Sequence, residues 1–263
     1  MTSPNLTPTA PVPDPARLRG PARLWELWRL ARNEPEDPGP FHSMLAKETV
    51  AKLELRHGGL RGSVVVDVGC GPGFYTAAFR DRGAQVVPVD RADDQLALTG
   101  KTPDGAIIAD AARMPFPRRS IDGVFCSNML EHAPDPGAII AEIGRVLRPG
   151  GWAYVSFTNW FSPWGGHNMN PYQFLGPKFG PRLYERVNGP PPANRYGEHL
   201  FALHIGPTLR MVRSLPGISV DRVEPRYWPW ASFLTKVPGA REVLCWNCLI
   251  HITKLAGTTQ PDR

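Results

Sequence analysis

The sequence predicts an α/β protein with a doubly wound, mostly parallel sheet, and three features carry that reading. Val64, Val65 and Val66 run into Asp67 as a strand buried on both faces. Gly69, Gly71 and Gly73 then form a tight turn that opens a helix from Tyr75 to Arg82. Between Ser63 and Phe157, apolar runs of strand length alternate with segments of helical period. A strand, a glycine turn and a helix N-terminus together form the ligand crevice of such folds, at the carboxyl ends of the strands.

Each element can be justified in order. Residues 1–21 hold six prolines among Thr, Ser, Asn and Ala, which opposes regular structure and offers little apolar surface to offset ordering entropy. No apolar core follows a charged start there, so a secretory signal is not expected. Pro21 is placed as the first residue of a helix to about Arg32, with Leu24, Trp25, Leu27, Trp28 and Ala31 on its apolar side. That helix has three readings: packed on the domain, closing over the substrate, or resting on a membrane surface. After a break at 34–40, residues 41–57 resume a helical pattern through Leu45, Val50 and Leu53.

The second strand, 84–90, ends in Asp90, 17 residues after Gly73. An acid there accepts both hydroxyls of a ribose, so it indicates adenosine without naming the cofactor. Pro88 is awkward for an interior strand, because it cannot donate to the ladder. Ile107, Ile108 and Ala109 give a short third strand ending at Asp110 and Ala111. Residues 122–127 give the fourth, followed by Asn128-Met129-Leu130-Glu131-His132. Asp135 then caps a helix with Pro136 at its first position, running to Leu147, and Trp152 to Phe157 forms the fifth strand. Residues 159–200 are rich in Pro, Gly, Asn and aromatics, and a segment that long inside a compact domain is usually functional. A helix at 204–213, a strand at 218–224, an aromatic loop at 227–230 and a last strand at 248–254 follow.

Composition bounds the function. A chain of 263 residues can bury a sizeable core, and 42% hydrophobic residues place it among soluble globular proteins. The net charge is +6, but no run of five basic residues occurs, so the charge argues little for nucleic acid. Cys70 and Cys126 fall in buried segments, and Cys245 and Cys248 form a single Cys-x-x-Cys without a second ligand pair. They read as reduced structural thiols of a cytoplasmic protein. Lys236, Pro238, Arg241 and Glu242 interrupt the apolar stretch 231–253, which excludes a spanning helix there.

The glycine turn is acid-x-Gly-x-Gly-x-Gly, not the Gly-x-Gly-x-x-Gly of dinucleotide sites. A carboxylate at Asp67 would repel a diphosphate and attract the amino group of a methionine moiety. Residues 64–157 thus resemble the class I S-adenosylmethionine (SAM)-dependent methyltransferases, specifically the small-molecule group, with four stations in order. The resemblance implies a Rossmann-like seven-stranded sheet with N-terminal lid helices over the SAM site and a substrate-cap insertion. The implied divisions are a tail at 1–20, lid helices at 21–60 with Phe41 and His42 facing the site, and a SAM-binding core at 61–158. A substrate cap at 159–203, the rest of the sheet at 204–256 and a tail at 257–263 complete the chain.

For the cofactor the resemblance implies Asp67, Gly69, Gly71, Gly73 and Tyr75 at the methionine end. It implies Asp90 and Arg91 at the ribose, Asp110 and Ala111 at the adenine, and Asn128 and Met129 near the methyl. His132 is the first candidate base, with Glu131 to orient it; the alternative is a pair that shapes the site without moving protons. His167, beside Gly165 and Gly166, is the second candidate base, or simply a turn residue; Glu198 and His199 follow. One branch of the family holds a divalent metal with Glu-x-x-Glu-His here, but the first position is Asn128, so no metal is expected.

The acceptor is narrowed by absences. The tetrapeptide of DNA amino-methyltransferases, the paired-acid loop of protein arginine methyltransferases and a cysteine placed for uridine methylation are all missing. A small-molecule, lipid or glycan acceptor fits better, methylated on oxygen or carbon. Peripheral membrane contact stays open, and two rivals remain: a non-catalytic SAM-binding protein and an NAD-dependent oxidoreductase.

Overall fold

The computed structural model describes residues 25, 26, 29, 30, 38–91 and 103–257. The proline-rich tail, most of the 21–32 helix, residues 92–102 and the end of the chain from 258 lie outside them. The sheet has seven strands: β1 (Val64–Val68), β2 (Gln85–Asp90), β3 (Ile107–Ile108), β4 (Ile121–Ser127), β5 (Leu147–Thr158), β6 (Ile218–Pro225) and β7 (Asn247–Lys254). Their order is β3-β2-β1-β4-β5-β7-β6. All pairs are parallel except those made by β7, which runs antiparallel to β5 and β6. From β1 the chain winds one way through β2 and β3, then returns to place β4 on the other side of β1. The switch point therefore falls between β1 and β4, where a crevice opens beyond the strand ends.

Alternation along the strands separates two cores. Val65, Phe125, Trp152, Tyr154 and Leu249 face one side, with Ala46, Val50 and Leu53 of α1 (Pro38–His57) and Ala78 and Phe79 of α2 (Phe74–Asp81). Val66, Val68, Val124, Cys126, Val155 and Ile250 face the other, against α3 (Pro136–Val146) and α5 (Ile205–Ser214). The cap between β5 and α5 contains α4 (Gly176–Asn188) and a satellite core of Trp160, Met169 and Leu200. A short α6 (Ala240–Leu244) precedes β7. All four cysteines are buried and unbridged.

Along helix α1, Met44, Ala46, Val50 and Leu53 are buried, and Ala46, Val50 and Leu53 pack with Val65 and Phe125 of the sheet. Its first half approaches the glycine turn, where His42 stacks on Phe74 with ring centroids 5.6 Å apart. Several elements depart from the sequence expectation. Strand β5 begins at Leu147, paired with Ile121 across a bulge, rather than at Trp152, and α3 accordingly ends at Val146. Pro88 is tolerated because β3 pairs only with Val89 and Asp90, so at Pro88 the sheet has one neighbour, not two.

Candidate active site

The turn after β1 is held open by backbone geometry. Gly69 and Gly71 have φ of +70° and +47°, a region costly for residues with a Cβ. The Gly69 N–H donates to the Val89 carbonyl at 2.8 Å, fastening the turn to the end of β2. A Cβ on Gly69 would lie 2.7 Å from Met129 Cγ, whereas one on Gly71 would meet nothing within 4 Å among the described residues. The turn thus packs tightly on one side and presents bare backbone on the other.

Asp67 stands beneath this turn, 2 % exposed, and its Oδ2 accepts from the Thr76 hydroxyl at 2.6 Å. The contact clasps β1 to the first turn of α2. Burial pushes the Asp67 carboxyl up to about 6, against the hydrogen bonds from Thr76 that pull it down.

A cavity of about 570 Å3 opens at the switch point, within the range of small-molecule sites. Across the strand ends it is lined by Asp110, Ala111 and Ala112 after β3, Asp90 and Arg91 after β2, Gly69 and Gly71 after β1, and Asn128, Met129 and His132 after β4, at the far end from Asp110. The cap adds His167, Asn194 and His199. A second cavity of about 170 Å3, between α1 and the glycine turn and lined by Ser43, Lys47 and Phe74, is smaller than such sites usually are.

Asp90 accepts from Gly71 N–H at 2.9 Å through Oδ2 and from Arg91 N–H at 2.7 Å through Oδ1. A carboxylate has about four lone-pair sites, so both oxygens retain capacity for two hydroxyls. Asp110 closes a turn by accepting from Ala112 N–H at 2.9 Å through Oδ1. The Ala111 N–H between them has no partner among the described residues. A paired acceptor at Asp90, a free donor at Ala111 and open backbone at Gly71 fit a nucleoside with a vicinal diol.

At the far end His132 Nδ1 lies 2.7 Å from the His199 carbonyl oxygen. A carbonyl only accepts, so Nδ1 carries the proton and Nε2 of the neutral ring is left as a proton acceptor. The His167 ring meets His132 edge-on, centroids 5.1 Å apart, and its buried Nδ1 has no hydrogen-bond partner among the described residues. Burial lowers the His167 pKa, and the nearby His132 lowers it further.

Of the residues singled out in the sequence, the cavity gathers Gly69, Gly71, Asp90, Arg91, Asp110, Ala111, Asn128, Met129, His132 and His167. Asp67, Gly73, Tyr75 and Glu131 are not among its walls. Gly73 caps α2. Tyr75 packs on Phe125, centroids 4.4 Å apart, and its hydroxyl takes a hydrogen bond from Arg226. Glu131 is 1 % exposed and accepts from the Thr158 N–H at 3.0 Å, which ties it to β5, and its charge acts on the nearby His167.

Arg226 was not visible in the sequence. It also reaches Asn128 Oδ1 at 3.3 Å and Ser156 Oγ at 3.4 Å, tying α2, β4, β5 and β6 together beside the cavity. Asn128 in turn has φ of +53° and accepts from Asn247 Nδ2 at 2.8 Å. No periodicity links positions 75, 128, 156 and 226; only the closed sheet does.

Comparison with known proteins gives the family and the fold. A methyltransferase-domain family model matches residues 66–155. An uncharacterized methyltransferase of Mycobacteroides abscessus is 34 % identical over 248 residues, covering 89 % of this chain and 94 % of its own length. One from Mycolicibacterium gilvum is 37 % identical over 246 residues, covering 89 % and 96 %. The crystal structure of an S-adenosylmethionine-dependent methyltransferase from Mesorhizobium loti superposes with a TM-score of 0.51 at 22 % identity, covering 74 % of this chain and 92 % of that one. At that identity the likeness is one of fold.

Proposed function

The chain belongs to the class I S-adenosylmethionine-dependent methyltransferases, and from that premise we propose that it methylates an oxygen or carbon of a small-molecule, lipid or glycan acceptor. The acceptor enters between the cap and the carboxyl ends of β4 and β5. The observation that carries this reading is the His132–His199 contact, which leaves a basic ring nitrogen on a cavity that also holds a nucleoside-type cradle.

S-adenosylmethionine, when bound, supplies the methyl as a substituent of a sulfonium. Asp90 holds the ribose hydroxyls, the Ala111 N–H reads the adenine edge with Asp110 shaping its turn, and Gly69 and Gly71 bring backbone against the methionine end. Asp67 acts from beneath through Thr76 and the turn. Asn128 and Met129 border the reacting end, with Asn128 fixed by Arg226 and Asn247. His132 Nε2 takes the proton that a hydroxyl or acidic carbon releases on methylation, and His167, made less basic by burial, lies alongside. Alignment of acceptor and donor inside the closed cap supplies most of the acceleration, up to about 7–11 kcal/mol for well-oriented partners.

The test is incubation of the purified protein with methyl-labelled S-adenosylmethionine and a lysate of its host, followed by phase partition. Label in the organic phase assigns a lipid or other apolar acceptor, and label in the aqueous phase a sugar or polar metabolite. Bound S-adenosylmethionine with no labelled product in either phase overturns the catalytic reading.

A further inference from the structure

Helix α4 in the cap exposes a face that neither the fold nor the cavity uses. At 3.6 residues per turn, positions four apart form adjacent rows along a helix. One row is apolar: Phe179 is 71 % exposed, Leu183 41 % and Val187 62 %. The row beside it is Lys178, Arg182 and Arg186, all exposed. The opposite side is anchored: Gly180 and Pro181 are buried, a Cβ on Gly180 would lie 2.2 Å from the Tyr172 carbonyl, and Tyr184 meets Tyr172 edge-on at 5.5 Å. The helix cannot roll its apolar row inward without breaking these contacts.

The charges on that face have one sign. Glu185, the helix's acid, is turned aside into an ion pair with Arg195 at 2.8 Å. Among the described residues none of Lys178, Arg182 and Arg186 has a carboxylate partner. Three cations beside three exposed apolar side chains form the pattern of a helix lying in a membrane interface, where the apolar row enters the acyl boundary and long basic side chains reach the headgroups. A second copy of the chain fits less well, because self-docking would set this basic row against its own like.

A second exposed apolar group lies in the segment after β6. Trp230 is 81 % and Phe233 58 % exposed in the turn after β6, and that segment meets the cap where the Trp164 and Tyr227 rings lie 6.2 Å apart. Among the described residues no helix is long and apolar enough to cross a membrane, so contact through these surfaces would be lateral.

We propose that the Lys178–Val187 face of α4 docks the protein onto an anionic lipid surface, with the apolar row inserted and the basic row on the headgroups. The proposal concerns attachment and stands whether or not the methyl acceptor is itself a lipid.

The experiment is co-sedimentation of the full chain with vesicles of phosphatidylcholine alone and with about 30 % phosphatidylglycerol. Wild type should partition at least about tenfold better onto the anionic vesicles, and raised salt should weaken the binding. A Phe179→Ser/Leu183→Ser variant should lose most binding, and a Lys178→Gln/Arg182→Gln/Arg186→Gln variant should lose the preference for anionic lipid. Both should keep wild-type unfolding temperature and S-adenosylmethionine affinity, since these side chains touch neither core nor cavity. Wild type that stays in the supernatant with both vesicles overturns the proposal, as do variants that bind like wild type, which would locate attachment elsewhere. A dimer that both variants abolish would assign the face to a second copy and overturn it equally.

Discussion

His132 Nδ1 is 2.7 Å from the carbonyl oxygen of His199, a residue 67 positions later in the cap. The bond fixes the tautomer of one histidine with the backbone of the segment that covers it, so the basic nitrogen is oriented when the cap is in place.

His132→Gln keeps a polar side chain of similar reach but removes the basic nitrogen. Turnover should fall by about 10²–10⁴, the usual contribution of a positioned base, and the acid limb of the pH–rate profile should disappear. Steady-state kinetics across pH checks this. Turnover equal to wild type at every pH would remove His132 from proton transfer and leave it a shaping role.

Gly69 and Gly71 should respond differently to alanine. Both have positive φ, which costs a residue with a Cβ about 1–2 kcal/mol. At Gly69 the new methyl also strikes Met129, so Gly69→Ala should lower stability more than Gly71→Ala. At Gly71 the methyl enters open space beside Asp90, so the larger loss should be in S-adenosylmethionine affinity. Thermal unfolding and calorimetric titration of the two variants separate the effects; equal losses of stability would contradict this account of the turn.

Asp67 gives a pH signature. Its carboxyl is raised from 3.8 to about 6 in the folded chain by burial. Between those values the native state holds a proton that the unfolded state has released, so stability falls as pH rises through that window. Asp67→Asn cannot ionise, and Asn still accepts from Thr76. Relative to wild type, the variant should gain up to about 3 kcal/mol between pH 4 and pH 7.5, measured by denaturant unfolding. A stability difference independent of pH would mean that Asp67 is ionised without cost.

Much of the core was legible because strand ends carry their chemistry locally. Asp90 and Asp110 each stand at or just past the end of a short apolar run, and the topology gathers such ends into one crevice. The Asp135 cap was equally local, accepting from Ala138 N–H at 3.0 Å. What was not legible depends on contacts distant in sequence. Neither the His132–His199 bond nor the Arg226 bridge to Tyr75, Asn128 and Ser156 leaves any periodic trace. The Glu131 contact with the Thr158 N–H is likewise distant in sequence, and it fits the reading in which the Glu131–His132 pair shapes the site. The buried row of α1, Ala46, Val50 and Leu53, follows from its own helical pattern and packs on the sheet.

The most direct test of the central claim, a nucleoside cradle at Asp90 joined to a separate reacting end at His132, is calorimetric titration of S-adenosylmethionine into wild type, Asp90→Ala and His132→Gln. Removing the Asp90 acceptors should weaken binding by about 1–3 kcal/mol, roughly 5–150-fold, as for lost hydrogen bonds to a charged group. His132→Gln should bind within about twofold of wild type, because its work falls on the acceptor's proton. Unchanged affinity in Asp90→Ala, or an equal loss in His132→Gln, would contradict this division of the cavity.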